Sequence, residues 1–83
     1  MNLLYFAHVR ENIGCSSEQM SLPDNISNVG ELMSHLRAKG KGYQSAFENE
    51  DNIRVAVNQL YVNFDHVISE QDEIAFFPPM TGG

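Results

Sequence analysis

The spacing of hydrophobic residues changes along the chain, and these changes divide it into predicted elements. Residues 3–9 alternate with a period of two and carry apolar side chains on both faces, which predicts a strand in the centre of a sheet. Apolar residues then recur at i, i+3, i+4 and i+7 from Val29 to Leu36, which predicts a helix with one buried face. Further strands are predicted over residues 18–22, 53–57, 60–62 and 73–77.

The boundaries of the helix carry their own signals. Asn28, followed three residues later by Glu31, fits a capping box at the start. Basic residues gather near the other end, and Gly40 fits the position after the last helical turn. A short second helical segment is possible over residues 43–48, with Phe47 directed to the core.

The order of these elements is β-β-α-β-β-β, which indicates the α+β class. We expect a mixed sheet of four to five strands with one main helix across one face. Because the first and last strands are apolar on both faces, they fit side by side at the centre. This arrangement is the β-grasp, or ubiquitin-like, roll.

Composition restricts the partners. Eleven acidic residues stand against five Lys and Arg, giving a net charge of −6, so neither nucleic acid nor an anionic membrane is expected. The acidic surface would suit a basic protein, although many proteins are simply acidic. With one cysteine, Cys15, no internal disulfide can form, and no signal peptide or membrane-length apolar run is present. A cytoplasmic location is expected.

The side chains supply no catalytic constellation. The three histidines, His8, His35 and His66, lack metal-ligand spacing, so no metal site is expected. Cys15 has no cationic residue beside it in sequence to activate a thiol. Glycine-rich phosphate-binding motifs are also missing, and this chain is expected to bind no cofactor.

The ending FFPPMTGG offers chemistry of another kind. Two prolines after the last strand would project the following residues stiffly, and glycines would let a narrow tail enter a channel in another protein. We therefore divide the chain into a domain, 1–79, and a flexible Gly-Gly tail, 80–83. The terminal carboxylate must be activated, for example as an adenylate, before sulfur or an amine can attack it.

At this point the sequence resembles a known family. Residues 56–83 and 4–14 resemble the small, sulfur-carrier subunits of molybdopterin synthase, and the weaker middle, with its helix over about 28–39, also agrees, so the resemblance covers essentially the whole chain. The resemblance implies a β-grasp fold and an ATP-dependent, ubiquitin-activating-like adenylyltransferase that adenylates Gly83. A sulfurtransferase or other persulfide donor then converts Gly83 to a thiocarboxylate. The tail inserts into the large synthase subunit, typically in a heterotetramer, and its sulfur builds the dithiolene of molybdopterin from cyclic pyranopterin monophosphate.

The resemblance also assigns residues. The chain would be a noncatalytic sulfur donor, inactive without the large subunit, and ATP would be used only by the activating enzyme. Gly83 would carry the glycyl adenylate and the thiocarboxylate. The inserted tail would comprise Met80, Thr81 and Gly82, and the partner interface would comprise Phe77, Pro78, Pro79 and Arg10.

Two alternatives remain open. The chain could deliver sulfur to thiamine or to tRNA, or it could be a noncatalytic ubiquitin-like binding module that never modifies its terminus. The F-F-P-P-x-T-G-G ending and the segment 64–66 favour molybdopterin.

Overall fold

A computed structural model describes residues 1–79 of the chain. It contains one five-stranded sheet, three α-helices and one turn of 3₁₀-helix at 50–52. The strands are β1 (Asn2–Tyr5), β2 (Ser17–Gln19), β3 (Arg54–Val57), β4 (Leu60–Val62) and β5 (Glu73–Phe77). The helices are α1 (Ala7–Ile13), α2 (Val29–Arg37) and α3 (Lys41–Ala46). Within residues 1–79, no helix has the length and apolar character needed to cross a bilayer.

The sheet has the order β2-β1-β5-β3-β4, so the last strand is central and the first lies beside it. β1 and β5 run parallel, with Leu3 opposite Ile74 and Tyr5 opposite Phe76. The other neighbouring pairs are antiparallel. The predicted mixed sheet, and the predicted contact between its first and last strands, are confirmed.

One face of the sheet forms the core together with the helices. Alternate residues of the central strands point into it, and the four apolar residues predicted for the helix are all buried there. Phe76 anchors the centre, with its ring 5.0 Å from Phe47 in an edge-to-face arrangement and 6.3 Å from Tyr5. No side chain of Asp, Glu, Lys, Arg or His in residues 1–79 is fully buried.

Asn28 caps the start of α2 as predicted, but Glu31 does not close the capping box on the Asn28 N–H. The Oδ1 atom of Asn28 accepts a hydrogen bond from the N–H of Glu31 at 2.9 Å. The Glu31 carboxylate accepts in return from the N–H and hydroxyl of Ser27, one residue before the cap. These hydrogen bonds from Ser27 hold the pKa of Glu31 below its usual value.

The prediction of one strand over residues 3–9 was wrong, because β1 ends at Tyr5 and α1 follows at once. Ala7 turns the chain with a φ of 51°, a conformation that sequence patterns do not announce for alanine. Val9 is then buried, and Gly14 closes the helix at a φ of 95°, with its N–H bonded to the carbonyl of Arg10. The domain therefore has a helix between its first two strands.

Two smaller predictions also need correction. Gly40 does not end α2, which finishes with Ala38 in a right-handed conformation; Gly40 instead precedes α3 and accepts from the N–H of Gln44. The second strand covers 17–19 and not 18–22. The short segment predicted over 43–48 is a helix, although it begins at Lys41, and Phe47 is buried as expected.

The tight connection predicted at Asn58 and Gln59 is confirmed. Both residues have positive φ, 53° and 71°, as a two-residue hairpin requires. The Asn58 side chain fixes this turn to the start of β5, since it donates to Asp72 and accepts from the N–H of Glu73. The hairpin therefore holds a defined position beside the central strand.

A carboxylate joins the opposite edge of the sheet to the helices. Glu18, on β2, accepts hydrogen bonds from the hydroxyls of Tyr5 at 2.9 Å and Tyr43 at 2.6 Å, and its other oxygen lies 3.5 Å from the Lys39 ammonium. Partial burial by itself would raise the pKa of Glu18, but the hydrogen bonds from the two tyrosines and the charge of Lys39 lower it below its ordinary value. Burial and the bond to Glu18 raise the pKa of Tyr43 to about 12.

Candidate functional site

The central strand delivers the chain to the predicted interface. β5 ends at Phe77, and because its neighbour β1 runs parallel to it, β1 also ends at this end of the sheet. Pro78 and Pro79 follow and are half-buried, like Phe77. The predicted patch of Phe77, Pro78 and Pro79 therefore lies where the central strand ends. The predicted tail residues Met80, Thr81, Gly82 and Gly83 lie outside the described residues.

The sheet face opposite the core is apolar as well. A row of side chains crosses it in register, because Leu4 pairs with Ala75, Ala75 with Ala56, and Ala56 with Tyr61. The two alanines leave the middle of the row low, while larger side chains stand on either side. The result is a shallow groove across four strands, which we call the outer groove.

Aromatic rings form the raised border of the outer groove. Phe6 is 45% exposed and Tyr61 is 80% exposed, values unusual for such large apolar surfaces. The Tyr61 and Phe77 rings lie 5.4 Å apart, and Pro78 continues the same border. Gln59 and Glu73 are the polar residues that line the groove. A continuous exposed apolar surface of this kind is typical of protein-binding sites.

Two exposed arginines lie on elements that contact β5. Arg10 is exposed on α1, one helical turn after Phe6, and its N–H bonds to the Phe6 carbonyl at 3.4 Å. Arg54 is exposed on β3, directly opposite Phe77 in the strand pairing. Neither guanidinium has a carboxylate within ion-pair distance in the part of the chain that the structure describes. Arg54 therefore lies beside the predicted patch, whereas the interface role of Arg10 stays a prediction.

Sequence reasoning missed several members of this surface. The alternation over residues 53–57 places Arg54 and Ala56 on the face opposite Val55, so the position of Arg54 on the outer face was available from the pattern. Leu4 and Phe6 had been assigned to a longer strand, and Tyr61 had been given no role. Their convergence depends on the strand order, which periodicity does not specify.

The candidate site is equipped to bind. Among residues 1–79, no three His, Cys, Asp or Glu side chains converge as a metal site would require. His8, His35, His66 and Cys15 do not line the outer groove. The described surface therefore has the apolar character of a binding site.

Comparison with known proteins identifies the family. The model of the ThiS family matches residues 3–83, nearly the whole chain. The chain belongs to the ThiS family. Its relatives include the molybdopterin synthase sulfur carrier subunits of Escherichia coli strain K12, at 37% identity, and of Haemophilus influenzae, at 39% identity. Each alignment covers 100% of this chain and 99% of the relative.

A solved structure supports the same fold. A putative molybdopterin converting factor subunit 1 from Pyrococcus furiosus superposes with a TM-score of 0.75 at 28% identity, covering 95% of each chain. The β-grasp fold is confirmed. The resemblance to molybdopterin synthase sulfur carriers is also confirmed over the full sequence.

Proposed function

We propose that this ThiS-family chain is a sulfur carrier in molybdenum cofactor biosynthesis and serves as the small subunit of a molybdopterin synthase. The observation that carries the proposal is the full-length similarity to relatives of that name, at 37% and 39% identity. The outer groove and the tail exit supply the binding surface that such a subunit needs.

Gly83 is the reactive residue in this proposal. Its carboxylate attacks the α-phosphate of ATP in the adenylyltransferase, which releases pyrophosphate and leaves a glycyl adenylate. A persulfide sulfur then attacks the acyl carbon and expels AMP, and a second thiol cleaves the resulting acyl disulfide. The thiocarboxylate that remains gives its sulfur to cyclic pyranopterin monophosphate, and hydrolysis restores the carboxylate.

The described residues hold the carrier in place for these steps. Phe77 ends a strand that is paired on both sides, so the exit point of the tail is fixed to the rigid centre of the sheet. Pro78 and Pro79 stiffen the departing chain.

Met80, Thr81 and Gly82 would span the channel of the large subunit, which supplies the catalytic side chains. The outer groove docks that subunit, with Arg10 of α1 as a further contact, and two copies of each chain would form the heterotetramer. The location proposed for this cycle is the cytoplasm.

Intact mass spectrometry tests the carrier chemistry. After co-expression with the adenylyltransferase and a sulfur donor, the full-length chain should gain the mass difference of one oxygen-to-sulfur exchange. A matched chain lacking Gly83 should fold alike and gain nothing, and a residue added after Gly83 should also block the exchange. An unmodified mass in the wild type under conditions that modify a known carrier would contradict the proposal and favour the noncatalytic binding module.

The acceptor distinguishes molybdopterin from thiamine and tRNA. Thiocarboxylated chain mixed with the large subunit and cyclic pyranopterin monophosphate should yield molybdopterin. Loading without transfer to this acceptor would move the assignment to another sulfur pathway while leaving the carrier chemistry intact.

A further inference from the structure

Two residues of opposite charge lie near the two ends of β5: Glu73 lines the outer groove, and Arg54 lies just beyond its Tyr61 and Phe77 border. Arg54 lies opposite Phe77, at the end where the tail leaves, and Glu73 lies at the start of β5. The four residue-to-residue steps from Glu73 to Phe77 span roughly 13 Å at the usual rise of a strand. An apolar floor separates the two charges, so the groove has a direction along β5.

Arg54 is held in position while keeping its charge available. Its Nη1 atom donates to the backbone carbonyls of Ile53 at 3.0 Å and Asp51 at 3.3 Å. Two other cations of the domain are neutralised locally, since Arg37 lies 3.2 Å from Glu50 and Lys39 lies 3.5 Å from Glu18. Arg54 has no such carboxylate in residues 1–79, on a chain whose net charge is −6.

The position of Glu73 is equally defined. Its backbone N–H donates to the Asn58 side chain at 3.0 Å, and the Asn58 N–H donates to the Glu73 carbonyl at 2.8 Å. Its carboxylate has no ion-pair partner among the first 79 residues. Both residues therefore sit on fixed backbone: Glu73 lines the outer groove, and Arg54 lines the adjacent depression, which shares Tyr61 and Phe77 with the groove.

We propose that Arg54 and Glu73 set the orientation in which the large synthase subunit docks on the outer groove. Arg54 pairs with a carboxylate of that subunit beside the channel entrance, and Glu73 faces a cationic or hydrogen-bond-donating group at the far end. This inference rests on the proposed function, and it specifies the charge pattern of the partner surface.

The physical need for such a pair follows from the groove itself. Contact between apolar surfaces has little directionality, so the groove alone would tolerate a partner turned end for end. In the reversed orientation the tail would leave the groove on the side away from the channel. Charges of opposite sign at the two ends stabilise one orientation and oppose the other, and they also accelerate encounter.

Charge reversal in the full-length chain tests this inference. We expect Arg54→Glu to weaken binding to the purified large subunit at least about tenfold, mainly through slower association. Arg54→Lys, which keeps the charge, should stay within about threefold of the wild type, and Glu73→Arg should weaken binding. Lys41→Glu is the matched control: it makes the same change in net charge on α3, a helix that packs against α1 and α2. The wild type should associate faster than Arg54→Glu at low salt, and the difference between their association rates should shrink at high salt, where charges are screened.

The outcomes separate this inference from the proposed function. Thermal unfolding first establishes that each variant folds like the wild type. If the wild type binds the large subunit and Arg54→Glu binds as Lys41→Glu does, the orientation by charge is wrong and the carrier role stands. If the wild type neither binds the large subunit nor becomes thiocarboxylated, the proposed function fails, and this inference fails with it.

Discussion

The rings of Tyr61 and Phe77 lie 5.4 Å apart on the outer face, although β3 separates their two strands. On the intervening strand, Ala56 pairs with Tyr61 and Arg54 pairs with Phe77. Tyr61 is 80% exposed, so this contact is made at the surface and contributes little to the core. The pair is therefore an exposed aromatic surface that a partner protein can cover.

The neighbouring residues Phe76 and Phe77 should separate stability from binding. Phe76→Ala should lower the free energy of unfolding by about 3–5 kcal/mol, because a fully buried ring is lost from the centre of the core. Phe77→Ala should change it by less than about 1 kcal/mol, since the ring is partly exposed. Urea denaturation measures both values.

Among the molecules that are folded, Phe77→Ala should weaken binding to the large synthase subunit more than Phe76→Ala does. Phe77→Ala should weaken it by more than tenfold, as loss of a central aromatic anchor does at interfaces. A Phe77→Ala chain that binds as tightly as the wild type would remove the outer groove from the interface.

Gly42 should be intolerant of a side chain. A Cβ atom built at this position would lie 2.3 Å from the carbonyl oxygen of Asn12, a backbone atom that cannot swing aside. We expect Gly42→Ala to destabilise the domain by about 1–3 kcal/mol by forcing α1 and α3 apart. Gly40→Ala is the control, because the nearest atom, in the Tyr43 ring, is 4.0 Å away. Equal melting temperatures for the two variants would contradict this account of α1–α3 packing.

The Glu18 carboxylate should make stability depend on acidity. Its pKa is lower in the folded protein than the ordinary value of 4.5, so its stabilising contribution is present at neutral pH and is lost as the pH falls below that value. The difference in unfolding free energy between the wild type and Glu18→Gln should be largest at pH 7 and smaller at about pH 3.

Denaturant titrations at the two pH values measure that difference. Glu11→Gln provides the comparison, because Glu11 is an exposed carboxylate on α1 without a hydrogen bond or ion pair in the described part of the chain. A Glu18→Gln difference that stays constant with pH would show that the tyrosines and Lys39 do not stabilise the charged carboxylate.

Cys15 should be dispensable for sulfur transfer. It is half-buried at the border of the core and does not line the outer groove. Cys15→Ser should therefore keep full thiocarboxylate formation, measured by intact mass, at a modest cost in stability. A variant that folds but cannot be loaded would assign the thiol a role in receiving sulfur.

Local patterns predicted the elements whose stability is local. The helix at Val29–Arg37 has a cap, a buried face and a basic end in its own sequence, and the hairpin at Asn58 has the residues that tolerate positive φ. The break between β1 and α1 was missed because Phe6 and Ala7 fit an extended pattern equally well. Only the packing of Val9 and Ile13 beside α3 favours a helix there.

The candidate site divides in the same way. The ending of the chain gave Phe77, Pro78 and Pro79 directly, since prolines after an apolar strand constrain the backbone by themselves. Leu4, Arg54 and Tyr61 join them only through strand pairing, which brings together residues up to 73 positions apart in sequence, from Leu4 to Phe77. The spacing of residues in one sequence does not specify the strand order, so it could not show that these residues are neighbours.

The central place of β5 also determines when the domain can fold. β1 and β3 do not pair with each other; each pairs with β5, so the two halves of the sheet remain separate until residues 73–77 have been synthesised. Contacts this distant in sequence are slow to form, because a long loop must close first. The nascent chain is therefore expected to stay unfolded through most of its translation, and the surface that receives the partner appears together with the finished sheet.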